Sequence, residues 1–163
     1  STAFSIGTLD EQAWRSTEPG TPHPRARIEA VAALNAAGVP CGVLMAPILP
    51  GITDHPRQLR EVVRAALDAG ATHVSPILLH LRPGVREEFL PWLEAHHPDL
   101  VERYRGTYRR AYAPPADRRA LARRVSGIVR ALGGVRAAPP GAPDRWHEHP
   151  GDAGPVPQQL TLA

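Results

Sequence analysis

The residues best equipped for chemistry stand just behind the apolar runs of this chain. Ser5, Gly7, Thr8 and Asp10 follow "TAFSIG" (2–7), and Pro47 to Asp54 close "PCGVLMAPI" (40–48). His80, Arg82 and Gly84 close "THVSPILLHL" (72–81), and the loop after the first run adds Glu18, His23, Arg25 and Arg27. Two carboxylates and an imidazole, Asp54, Glu18 and His80, would make an acid–base set if they converged. Each residue also has a plainer role. Asp54 and Asp10 suit helix N-caps, His80 suits a satisfied strand end, and Arg27 suits an ion pair. Ser5 differs, because it lies between Phe4 and Ile6 and points opposite to them. In a barrel that direction is the lumen, where a hydroxyl needs a partner.

Metal chemistry finds little support. Cys41 is the single cysteine and sits inside an apolar run, so neither a disulfide framework nor a cysteine cluster can form. "WHEHPGD" (146–152) offers His147, Glu148 and His149 without a structured third ligand. His96-His97 reads as favourable charge at a helix end. There is no Gly-rich phosphate loop and no nucleophile elbow. All 19 basic residues are arginines, and the net charge is only +3. Many of them cluster between Arg103 and Arg130, which reads as a solvated helical face or, more sharply, as a phosphate-facing surface. The apolar run around Val39 to Ile52 is too short and proline-rich to span a bilayer. With no signal peptide visible, the cytoplasm is expected.

The elements that must position these residues can be read from periodicity. Helices are expected from about Pro24 to Ala37, from a cap at Asp54 to about Ala69, from Val85 through Leu93, and over about 98–112 and 116–132. Apolar side chains at helical spacing support the first three: Ile28, Val31, Ala32 and Leu34; then Leu59, Val62, Val63, Ala66 and Leu67; then Val85, Phe89, Trp92 and Leu93. Asp10 begins a short helix through Trp14, and "STEPGTPHP" (16–24) is loop chemistry. The run 40–48 is continuous, as a strand buried on both faces reads, and its prolines belong where the ladder stops. Leu34, Pro50 and Gly51 recur 33 residues later as Leu67, Pro83 and Gly84. This echo of helix end, glycine, strand and Pro-Gly loop marks βα units and a parallel α/β sheet. The ordered part is expected over residues 1 to about 132, with a Pro/Gly-rich tail over 133–163.

"FSIGTLDEQAWRSTEPGTPHPRARIEAVAALNAAGVPCGVLMAPILPG" resembles the second half of radical SAM proteins of the spore photoproduct lyase-like group, also labelled DNA repair photolyase-like. The resemblance is carried by the "FSI" strand, "EPGT", an arginine before an Ala-rich helix, and a glycine-led strand ending "APILPG". "LLHLRPGVREEFLPWLEAHHPDL" is similar to one branch of that group, and the likeness spans about residues 3–132. It implies a partial (β/α) barrel of radical SAM type, here its C-terminal half plus C-terminal helices. It also implies S-adenosylmethionine as cofactor beside a [4Fe–4S] cluster, whose cysteine loop would lie upstream of Ser1.

Site residues follow from the resemblance alone. Ser5 matches a serine near the amino-acid or ribose part of S-adenosylmethionine. Glu18 and Arg27 match an "EP…R" pair, with Arg27 either on the cofactor carboxylate or bracing Glu18. Pro47 matches the strand end flanking the adenine. No catalytic residue and no metal ligand can be assigned. The chain alone is expected to be inactive, with an open sheet edge and an exposed apolar face. Its partner would be the missing N-terminal half of the barrel, and nucleic acid is a candidate substrate class. The alternatives are a non-catalytic Arg-rich nucleic-acid-binding fragment and an unrelated iron-independent barrel enzyme.

Overall fold

The computed structural model describes residues 2–135. The expected tail beyond Val135, with its "WHEHPGD" segment, lies outside the described residues. The elements run β1 (Thr2–Ser5), α1 (Glu11–Thr17), α2 (Pro24–Ala36), β2 (Cys41–Ile48), α3 (Pro56–Asp68), β3 (Val74–Leu78), α4 (Val85–His96), α5 (Val101–Thr107) and α6 (Pro115–Ala131), with a 3₁₀ turn over Pro98–Leu100 before α5.

The three strands form one parallel sheet in the order β1-β2-β3. Parallel neighbours need crossovers, and α2 and α3 supply them. Helix α2 packs on β1 and β2, α3 on β2, and α6 on both β3 and α3. Alternation along the strands then separates the two faces. Ile6, Cys41, Val43 and Met45 are buried under the helices. Registered residues of the opposite face, Ala3 with Gly42 and Ser5 with Leu44 and Ser75, are small or only half-buried apart from Gly42. The exposed apolar face expected from sequence is therefore muted. This face combines Ala, Ser and Gly with Leu44 and Ile77, both half-buried, and none of the strongly exposed large apolar side chains, Val39, Val85, Tyr112 and Val135, belongs to a strand.

Pro47 departs from expectation in an instructive way. The ladder does not stop there, because β2 continues to Ile48 through a register shift between Met45 and Ile48. A bulge leaves a residue unpaired, so a proline without an N–H is tolerated even in this central strand.

The helix starts reveal a repeat beneath the expected one. His23 and His55 are the N-caps of α2 and α3, each ring Nδ1 accepting from the N–H two residues on, Arg25 and Arg57, with a proline in the first turn. Asp54 is therefore not the cap of α3. Its carboxylate accepts from the Gly51 N–H at 2.7 Å, as Glu87 accepts from the Gly84 N–H, and both glycines have positive φ, 83° and 87°. The two Pro-Gly loops are thus the same device. In the second, the carboxylate falls inside the first turn of α4; in the first, the helix begins later. Asp10 does cap α1, accepting from Ala13 at 2.8 Å, and that helix runs on to Thr17.

Other boundaries moved as well. The helix expected over 98–112 ends at Thr107, and the chain then turns back to form an antiparallel bridge between Tyr112 and His80. Val85 is 45% exposed, so the inward stripe of α4 rests on Leu93 with the half-buried Phe89 and Trp92. Asn35 ties three elements together: its amide donates to the carbonyls of Val31 in α2, Cys41 in β2 and, at 3.4 Å, Ala69 at the end of α3, and its oxygen accepts from the Cys41 N–H at 2.9 Å.

Tyr104 and Tyr108 stack with ring centroids 5.6 Å apart, and both hydroxyls are buried without a hydrogen-bond partner among the described residues. Burial pushes both phenols far above the ordinary tyrosine range; the neighbouring phenol and Asp54 add to this at Tyr104, and Asp117 and Asp54 at Tyr108. An unpartnered buried hydroxyl bears a desolvation cost that phenylalanine lacks. Tyr104→Phe is therefore expected to be neutral or to stabilise by up to about 1 kcal/mol. A urea titration checks this, and a loss of about 1 kcal/mol would reveal a bond the hydroxyl makes.

Candidate functional site

Among the described residues, edge strand β1 pairs with a strand on one side only. Thr2 and Ile6 donate toward β2, to the carbonyls of Pro40 and Leu44, so the polar groups of Ala3 and Ser5 face the open edge. Arg27 reaches that edge. Its Nη1 donates to the Ser5 carbonyl at 2.6 Å, its Nε to the Pro22 carbonyl at 3.0 Å, and its Nη2 to Glu18 at 2.9 Å. The Arg27 and Glu18 side chains are only 11% and 14% exposed. Thr21 completes the set, accepting from Trp14 Nε1 at 3.0 Å and donating to the Glu18 carbonyl, while Gly20 turns the chain at φ 80°. "EPGT…R" is thus a folded bracket. In this arrangement Arg27 braces Glu18, with most of its donors occupied within the bracket.

Beyond β1 the backbone of Gly7 lies against the β2 bulge. A Cβ at Gly7 would stand 2.5 Å from the Pro47 carbonyl oxygen. This approach brings the ends of β1 and β2 together. Ser5 is exposed, on the sheet face opposite that of Ile6 and Met45. Ser5, Glu18 and Arg27 are joined through the Ser5 carbonyl, and Pro47 is reached through Gly7.

The end of β3 is held by the returning segment. Leu81 donates to the Ala111 carbonyl at 2.7 Å, and Arg86 donates to the carbonyls of Tyr108 and Arg110. His80 packs edge-on against Tyr112 at 4.6 Å, and Arg82 donates to the Tyr112 hydroxyl at 2.7 Å. Burial, then the positive charges of Arg82 and Arg118, push the His80 imidazole below its usual range; burial lowers His73 too. In acid the unfolded chain therefore binds protons that the folded chain resists. Stability is expected to fall as pH drops below about 6.5. Urea midpoints across that range check the sign, and His80→Gln should flatten the slope.

Asp54, Glu18 and His80 do not share a contact set. Glu18 is held by Arg27, and His80 packs on Tyr112. Asp54 lines a separate cavity of about 180 Å³ with Arg103, Asp117 and Arg124, and Arg124 donates to its carbonyl. Cys41 is buried and burial raises its thiol pKa, which opposes the thiolate that iron needs. Among the described residues, no three His, Cys, Asp or Glu side chains gather as a metal site would need, so these residues do not fit a [4Fe–4S] cluster. No described helix is long and apolar enough to cross a membrane. Sequence reasoning missed the work of Gly7, Tyr112 and Asn35; the twice-used "HPR" at 23–25 and 55–57 was a legible signal for the two caps.

Fold and site define an α/β chain of consecutive parallel strands with its polar groups at the strand ends. The chain is 40% identical to uncharacterized proteins of Mycobacterium tuberculosis and Mycobacterium bovis, the match covering 99% of this chain and 46% of theirs. It is 34% identical to an uncharacterized protein of Acidianus two-tailed virus over 53% of this chain. The chain thus spans about half the length of the mycobacterial relatives. No protein-family model matches it, and no solved structure matches it.

Proposed function

We propose that this chain is the C-terminal part of a cytoplasmic radical SAM enzyme, forming one wall of an S-adenosylmethionine site in a partial (β/α) barrel. The observation that carries the reading is the asymmetry of the sheet. Consecutive parallel strands wind in one direction, the helices that touch the sheet bury one face, and the other face, with Ser5 upon it, is left half-buried, mixing small side chains with Leu44 and Ile77. Ligands bind at the C-terminal ends of such strands, which is where Gly7 meets Pro47. Ser5 and Pro47 would line the cofactor, with Glu18 and Arg27 shaping the neighbouring edge. The iron–sulfur cluster supplies the reductive chemistry when bound, and its ligands would come from outside these residues. The matched relatives are long enough to contain a second half.

The test is anaerobic reconstitution of the full protein with iron and sulfide, followed by titration with S-adenosylmethionine. We expect a cluster absorbance, saturable binding and weaker binding in Ser5→Val. A full-length sequence without three cysteines at the Cys-x-x-x-Cys-x-x-Cys spacing, or no binding after reconstitution, would overturn the reading.

A second reading, a nucleic-acid partner, rests on a different observation. Residues 101–135 carry nine arginines, all exposed, against two acids, Glu102 and Asp117. Affinity for an oligonucleotide should fall steeply with salt, and Arg119→Glu with Arg123→Glu should weaken it. Binding indifferent to both salt and charge reversal would rule this surface out.

A further inference from the structure

The end of β3 holds a basic and aromatic cluster that the cofactor reading leaves unused. Arg82 is exposed, yet it is oriented: Nη2 donates to the Tyr112 hydroxyl at 2.7 Å, and the guanidinium lies 5.5 Å from the Tyr112 ring centroid. Tyr112 is itself fixed in place, since its backbone bridges His80, the adjoining Ala111 carbonyl accepts from Leu81, and Arg86 ties down the carbonyls of Tyr108 and Arg110. Accepting from Arg82 leaves the Tyr112 O–H proton free to donate outward. Arg118 comes from the first turn of α6, the helix packed on β3, and its charge reaches the same imidazole as that of Arg82. Among the described residues neither arginine has a carboxylate within ion-pair distance, and the charged groups acting on His80 are those two cations.

We propose that Arg82, Arg118 and the Tyr112 hydroxyl form a phosphate-binding site at the C-terminal end of β3, where His80 packs against the Tyr112 ring. Guanidinium forks match phosphate oxygens in geometry and charge. The segment bearing Tyr112 is stitched to β3, so much of the ordering cost of binding is met before the ligand arrives. His80 lies within reach of both positive charges, so a bound phosphate, whose negative charge opposes theirs, would act on its imidazole in the opposite direction. The proposal is independent of the cofactor reading, and it gives the arginine-face reading a defined anchor.

The probe is His80 itself, followed by NMR of ¹³Cε1-histidine in the full protein and assigned with His80→Gln. Titrated in inorganic phosphate, its midpoint should rise by about one pH unit relative to sodium chloride of equal ionic strength. In Arg82→Gln/Arg118→Gln the starting midpoint should already be higher and phosphate should no longer move it. Tyr112→Phe keeps the ring, and should weaken phosphate affinity about fivefold to tenfold. Equal midpoints in phosphate and chloride would overturn the site, as would a phosphate shift that survives the double variant.

Two further ligands identify the source of the phosphate. A nucleoside monophosphate tighter than inorganic phosphate marks a small nucleotide, and an oligonucleotide tighter than either marks nucleic acid. Arg119→Glu/Arg123→Glu should weaken the oligonucleotide alone and leave the inorganic phosphate shift intact, which separates this site from the wider arginine face.

Discussion

Gly7→Val is expected to destabilise the protein by about 3 kcal/mol, at the upper end of what forced overpacking costs. Even the first added carbon would sit 2.5 Å from the Pro47 carbonyl oxygen and 3.4 Å from the carbonyl carbons of Ala46 and Pro47. These are backbone atoms, so no side chain can swing away to make room. They also belong to β2, the central strand, whose movement would disturb pairing with both neighbours. Under the cofactor proposal the same change shifts the Pro47 wall, so affinity for S-adenosylmethionine should fall with stability. Urea denaturation of Gly7→Ala and Gly7→Val measures the effect. A loss under about 0.5 kcal/mol for valine would mean that the two strand ends do not approach this closely.

Arg27→Ala is expected to cost about 2–3 kcal/mol, below the cost of breaking a fully buried pair because these side chains keep some solvent. It strands the Glu18 carboxylate, which is 14% exposed, and removes the donors that hold the Ser5 and Pro22 carbonyls. Arg27→Lys should recover little, since one ammonium cannot reproduce three separate guanidinium contacts. A double-mutant cycle with Glu18→Ala should show coupling of about 1 kcal/mol or more. Strict additivity would free Arg27 from its bracing role and return it to the cofactor carboxylate. A fall in S-adenosylmethionine affinity beyond the stability loss would point the same way.

The architecture was largely legible because periodicity reports burial. Val31 in α2, Leu59, Val62, Val63 and Ala66 in α3, and Cys41, Val43, Met45 and Ile48 of β2 lie in the core for that reason, whereas Leu44, Ala46 and Pro47 stay half-buried, so β2 is not buried on both faces as its unbroken run suggests. The 33-residue echo held because Gly51 and Gly84 perform the same turn. Boundaries were less legible. Asp54 has the chemistry of a cap but bonds Gly51, since His55 offers a ring nitrogen one residue later. The helix expected over 98–112 stops at Thr107, since residues 108–113 are claimed by hydrogen bonds from Leu81 and Arg86. These are bonds between segments far apart in the chain, to which local propensity is blind.

The sequence by itself determined the alternation of strands and helices, the parallel sheet and the residues at its strand ends, because these follow from side-chain period and turn chemistry. Only the tertiary structure decided how those residues are used. It turned Arg27 toward Glu18 and the edge of β1, set Gly7 against Pro47, and carried Tyr112 back to His80 and Arg82. Each of these depends on where the chain returns in space, and the direction of a guanidinium or the clearance above a glycine is fixed by packing that no local pattern encodes.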